Sequence, residues 1–258
     1  MSILKKHHQR SMDTIFTNIC DVIEKYDIKS ICDYGCGNGD FLIKLQKKFP
    51  VLTNCTGIDC WSFHGDDHTI PKNQGMLRFE DNSLDGFKKF IKENSFDLVI
   101  STFALHHFKY PVKELKCIES LTKSGGHIFI SDMLTKYEDD YLTTNIMWLH
   151  GETYLKLINK HHGTPYTLDE MRDLMKIIDG ELVDDSKMPI VFSKEEEIEF
   201  SNYFIKSSKE SMDEMENNSK KHQIVRDLFI LQKKFHIDLL QKKRRKINDL
   251  VKLIVKKH

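Results

Sequence analysis

The ten residues ICDYGCGNGD, Ile31 to Asp40, constrain this chain more than any other stretch. A short apolar run ends in Asp33, and Gly35, Gly37 and Gly39 then alternate with single residues before a helical pattern begins. Glycine takes positive φ without a Cβ penalty and lets backbone approach a ligand closely. The pattern therefore predicts a strand that turns sharply into a helix around something bound. A triphosphate cradle would close on Gly-Lys-Ser/Thr, but Asp40 and Phe41 follow here. A dinucleotide site would prefer GxGxxG, and an acid two residues before the first glycine is a poor neighbour for a pyrophosphate.

The rest of the first half supplies the frame for that turn. MDTIFTNICDVIEKY (12–26) carries apolar residues at helical spacing, and KSICDYG follows as a buried strand. FLIKLQKKF (41–49) predicts a helix stopped before Pro50, NCTGIDC (54–60) a second strand and MLRFED (76–81) a third. LDGFKKFIKE predicts a helix, FDLVIST (96–102) the clearest strand, PVKELKCIESL a helix opened by Pro111, and GGHIFISD (125–132) a strand after a Gly-Gly turn. The strands are near-continuous apolar runs, as expected when both faces of a sheet are covered. The fold class expected is α/β: an open, mostly parallel sheet with helices on both faces.

After Asp132 the rhythm changes. Residues 137–162 are rich in aromatics and histidine, among them Tyr137, Tyr141, Trp148, His150, Tyr154, His161 and His162. TLDEMRDLMKIID predicts a helix capped by Thr167 with Glu170 three residues on, and GELVDDSKMPIVF is strand-like. Residues 194–246 read as helical, and VKLIVKKH as a last strand. The organisation expected is a single domain over 1–258, with a ligand-binding core at 25–135 and helical insertions at 136–165 and 194–246 forming a substrate lid.

Composition excludes several classes. No run of 18 apolar residues is present, so no membrane span is expected, and MSILKKHHQR lacks the apolar core of a secretory signal. A cytoplasmic protein is the expectation. The formal net charge is zero, with +5 over Lys194–His258 and −5 over the preceding residues, which makes nucleic acid an unfavoured partner. The KKRRK run at 242–246 reads as a solvated helix face. The six cysteines contain no CxxC pair, and reduced thiols with no metal are expected.

An anionic Asp33 beneath the glycine turn suits a ligand with a cationic group, which points to a sulfonium nucleoside carrying an amino acid. Asp59 ends the second strand 20 residues after Gly39, where a carboxylate can accept hydrogen bonds from both ribose hydroxyls. Cys60 and Trp61 are placed to flank an adenine, and Asp81 with Asn82 to meet its edge. Thr102 and Phe103, after the fourth strand, belong beside the glycine loop at the switch point of the sheet.

These motifs together resemble the class I, Rossmann-like S-adenosylmethionine-dependent methyltransferases of broad small-molecule type. DYGCGNGD resembles the family's first motif, GID its second-strand acid, RFEDNSL its adenine loop, FDLVISTFALHHF its fourth-strand motif and LTKSGGHIFISD its fifth. The resemblance implies S-adenosylmethionine as cofactor, with Asp33, Gly35, Cys36, Gly37, Gly39, Asp59, Cys60, Asp81, Asn82, Thr102 and Phe103 around it. It implies methyl transfer to a small or medium-sized acceptor, at oxygen or nitrogen, and a homodimer is compatible with it. His106 and His107 follow the fourth strand, where a histidine pair in this family resembles packing around the cofactor pocket. His107 and His150 are the candidates for acid–base work, because imidazole titrates near neutral pH. Three alternatives stay open: an RNA or protein methyltransferase docking through the basic C-terminal helix, a non-catalytic cofactor-binding partner protein, and an enzyme that uses the sulfonium electrostatically.

Overall fold

A computed structural model describes residues 3–60, 76–79, 91–135, 163, 165–200, 202, 203, 206, 210, 213 and 249–258, with Leu4, Cys60 and 76–79 in backbone only. The sequence elements appear in the expected order: α1 (Ile3–Lys25), β1 (Ser30–Tyr34), α2 (Asp40–Lys48), β2 (Asn54–Cys60), β3 (Met76–Phe79) and β4 (Phe96–Thr102). A 3-10 turn at Leu105–His107 leads to α3 (Pro111–Leu121), β5 (Thr122–Met133), α4 (Leu168–Met175), β6 (Gly180–Asp184), β7 (Lys187–Met188) and β8 (Leu250–Lys257).

The strands form one sheet in the order β3-β2-β1-β4-β5-β8-β6, with β7 also pairing β8. Strands β1 to β5 pair in parallel, while β8 runs antiparallel to both β5 and β6. The strand order reverses between β1 and β4, which opens a crevice at their carboxyl ends. Both faces are covered, as the apolar runs require. Successive strand residues point to opposite sides. Thus Cys32, Val99, Ile128 and Ile130 join Leu115, Ile118, Met171 and Met175 of α3 and α4 in one core cluster. Ile31, Leu98, Ile100 and Phe129 join Ile15, Ile19, Leu42 and Leu45 of α1 and α2 in the other.

Three local readings need correction. Helix α1 begins at Ile3, nine residues before the periodic stretch, because its polar first turns are held from far away. The His7 ring stacks on Phe192 and Phe200 at 5.5 and 5.0 Å, and Arg10 makes two 2.8 Å hydrogen bonds to Glu196. Second, Gly125–Gly126 is not a turn before the fifth strand but an irregularity inside β5. The pairing steps from Phe96↔Thr122 to Leu98↔His127, and Gly125 takes φ +73° to absorb the extra residues. Third, GELVDDSKMPIVF splits into β6 and the two-residue β7.

Helix α4 starts as expected: the Thr167 hydroxyl accepts the Glu170 N–H, and the Glu170 carboxylate accepts the Thr167 N–H at 2.8 Å. Residues 194–200 are helical, while the expected helix at 84–93 lies largely outside the described residues, as do most of 136–165 and 194–246. Among the described residues no helix is long and apolar enough to cross a membrane.

Candidate active site

The glycine turn answers to three positive dihedrals: Gly35, Gly37 and Gly39 take φ of 88°, 57° and 80°. An L side chain at any of them would be strained. Gly35 is also closed sterically, since a Cβ there would lie 2.6 Å from the Ala104 Cβ. The loop after β1 therefore seats directly on the turn after β4. Backbone bonds complete it. The Gly35 and Cys36 N–H groups both donate to the Ile58 carbonyl, at 2.8 and 3.1 Å, and the Gly39 N–H donates to the Cys36 carbonyl at 2.9 Å. Cys36 contributes backbone to this loop while its side chain is buried.

The loop is tied to the second strand by its acid. The Gly37 N–H donates to Asp59 Oδ2 at 2.5 Å, so the carboxylate expected at the ribose is already aimed by the glycine turn. Asp33 lies behind them, 2% exposed, with no hydrogen-bond partner for Oδ1 among the described residues. Burial pushes its carboxyl up to about 7, and the nearby charge of Asp59 adds to the effect. A desolvated carboxylate with an open acceptor atom is costly unless a donor or cation arrives.

The switch point is completed from β4. Thr102 is half-buried, and Phe103 takes φ +52°. The Phe103 N–H donates to the Ser131 carbonyl at 2.9 Å, which directs the chain into the 105–107 turn. There His106 is buried and His107 half-buried, with ring centroids 4.0 Å apart. The His106 ring Nδ1 lies 2.7 Å from Asp132 Oδ1.

The structure thus brings together Asp33, Gly35, Cys36, Gly37, Gly39, Asp59, Thr102, Phe103 and His107 at the carboxyl edge of β1, β2 and β4. The backbone of Cys60 ends β2 beside them. Its side chain, Trp61, Asp81, Asn82, His150, Tyr154, His161 and His162 lie outside the described residues. Among the described residues no cluster of three or more histidines, cysteines or acids is placed to hold a metal.

Sequence reasoning missed Asp132 and Ala104. Asp132 carried the same signal as Asp33, an acid closing an apolar strand. Ala104 was recognisable only once Gly35 was seen to need a small neighbour.

A methyltransferase-domain family matches residues 7–183, more than half of the chain. An uncharacterized methyltransferase of Schizosaccharomyces pombe is 30% identical over 168 residues, covering 60% of this chain and 55% of the relative. The chain thus spans about half the length of that relative. Among solved structures, a candidate methyltransferase of Bacillus halodurans superposes with a TM-score of 0.52 at 12% identity, over 93% of this chain and 99% of that one. The plantazolicin methyltransferase BpumL, in complex with a pentazolic desmethylPZN analog and S-adenosylhomocysteine, superposes with a TM-score of 0.51 at 18% identity, over 97% and 85%. At such identities these two structures establish the fold. The family match, the parallel sheet with its switch point and the acid–glycine–acid edge agree: this chain belongs to the methyltransferase-domain family and has its Rossmann-like fold.

Proposed function

We propose that this protein transfers a methyl group from S-adenosylmethionine to a small or medium-sized acceptor, at oxygen or nitrogen. The observation that carries this reading is Asp33, a buried carboxylate whose Oδ1 has no partner among the described residues, next to a glycine turn whose Gly37 N–H fixes Asp59. When bound, the cofactor supplies a methyl group already activated by a positively charged sulfur.

The residues present fit that group. Asp33 would hold its cationic amino-acid end, because a cation restores the interaction that burial removed. Asp59 would accept from the ribose hydroxyls, with Cys60, Asp81 and Asn82 towards the adenine. Thr102 and Phe103 would close the crevice from β4. Buried Ala104 and Leu105 exclude water beneath it. The chain's main work is then alignment and water exclusion. His107 would take a proton from a hydroxyl or ammonium acceptor where one must be lost, with His150 of the aromatic-rich 137–162 stretch as its proposed counterpart. The tyrosines and Trp148 of that stretch support an aromatic or partly apolar acceptor.

Calorimetry with S-adenosylmethionine tests the reading. The parent should bind, and Asp59→Ala should weaken binding by about 10- to 100-fold, the value of a charge-assisted hydrogen-bond set. Equal affinity of the two proteins would remove the ribose assignment, and a parent that binds no cofactor would remove the function. Mass analysis of a panel of hydroxyl and amine acceptors then identifies the methylated class.

A further inference from the structure

Asp132 closes β5 as Asp33 closes β1, and it is 1% exposed. Unlike Asp33 it has no assignment in the proposed cofactor site. Its Oδ1 accepts from His106 Nδ1 at 2.7 Å and from the Met133 N–H at 2.7 Å, and its Oδ2 accepts from the His106 N–H at 3.1 Å. Facing a carboxylate that accepts throughout, His106 Nδ1 must carry the proton. One acid therefore fixes the histidine by both its ring and its backbone.

The histidine in turn holds something else. Its carbonyl accepts the Gly163 N–H at 2.9 Å, and the Thr135 N–H donates to the Tyr166 carbonyl at 2.9 Å. The chain that leaves β5 and the chain that returns at Gly163 are thus fastened to one edge. Ala104, against which Gly35 packs, lies two residues before His106. The His107 ring lies against that of His106.

We propose that the Asp132–His106 pair is a positioning clasp: it sets the 105–107 turn so that the returning chain at Gly163 and the His107 ring are held on the acceptor side of the crevice. The acceptor side is defined by the proposed methyl transfer; the clasp itself is not. Asp132 and His106 are positioning residues and touch neither reactant.

The test compares Asp132→Asn, His106→Asn and His106→Leu with the parent by ring nitrogen NMR, site-resolved amide hydrogen exchange and calorimetry with S-adenosylmethionine. In the parent, His106 should be the Nδ1-protonated tautomer. Asp132→Asn should abolish that bias and speed exchange of the Gly163 amide by about tenfold or more, with the Ile100 and Phe129 amides unchanged. Cofactor affinity should stay within about threefold. His106→Asn places an amide N–H where Nδ1–H stood and should keep Gly163 slow, whereas His106→Leu should not. Unchanged Gly163 exchange in Asp132→Asn and His106→Leu would overturn the clasp. So would acceleration shared by Ile100 and Phe129, which marks general core loosening, or a larger loss of cofactor affinity, which places the pair in the cofactor pocket. A parent that binds no cofactor would remove the methyltransferase reading, while the exchange comparison would still decide the clasp.

Discussion

Two aspartates close two strands of the same sheet edge, and the protein treats them in opposite ways. Asp33 and Asp132 are 2% and 1% exposed. Asp132 is saturated by three donors from its own chain, two from His106 and one from Met133. Asp33 Oδ1 has no partner among the described residues, and burial pushes its carboxyl up to about 7. Equal burial therefore does not mean equal purpose. A carboxylate satisfied internally stabilises the fold, whereas one left unsatisfied destabilises it until something with a positive charge arrives.

The contrast can be broken most directly by removing each acid. Asp132→Ala would take the acceptor away from two buried donors of His106 and the part-buried N–H of Met133. Urea denaturation should show a loss of about 3–5 kcal/mol, the usual cost of breaking a buried pair. Asp33→Asn should act with the opposite sign. Removing a desolvated charge should raise stability by about 1–3 kcal/mol at pH 8, while weakening S-adenosylmethionine by about 10-fold or more. A stability loss in Asp33→Asn would show that the Asp33 carboxylate is supported internally after all.

The pH dependence sharpens the same point. The folded value of Asp33 lies above the ordinary value of 3.8, so the folded state binds its proton more tightly. The protonated group's advantage is complete below that ordinary value and is lost as pH rises through about 7. The stability gap between Asp33→Asn and the parent should therefore be small near pH 4, grow towards pH 7 and level off above it. Cofactor affinity should run the other way in the parent, falling as pH drops below 7, since a protonated Asp33 offers no charge. Calorimetry between pH 5.5 and 7 checks this, and a flat profile would detach Asp33 from the ligand. The smallest effect expected is at an exposed pair. Lys176 Nζ lies 2.7 Å from Asp173 Oδ1 with both side chains largely in water, and Lys176→Ala should change stability by no more than about 0.5 kcal/mol.

The legibility of these features followed the range of the interactions behind them. The glycine turn could be read because each glycine meets a local demand, a positive φ. The strands could be read because covered parallel strands must be apolar on both sides, as Ile31 and Cys32 are when they enter opposite cores. Asp59 could be read because it stands at the end of a strand of recognisable length. The first nine residues of α1 could not, since His7 and Arg10 owe their place to Phe192, Phe200 and Glu196. The same holds for the irregularity at Gly125, which exists only relative to β4.

Local chemistry along the chain was enough to establish an α/β sheet and its glycine turn, because backbone dihedrals and burial periodicity are properties of neighbouring residues. It could not say which of two strand-end acids stays open. That depended on what folding delivered to each: a histidine from the turn after β4 reached Asp132, and no donor among the described residues reached Asp33 Oδ1. Partners separated by 26 residues, as His106 and Asp132 are, meet only through the packing of the sheet.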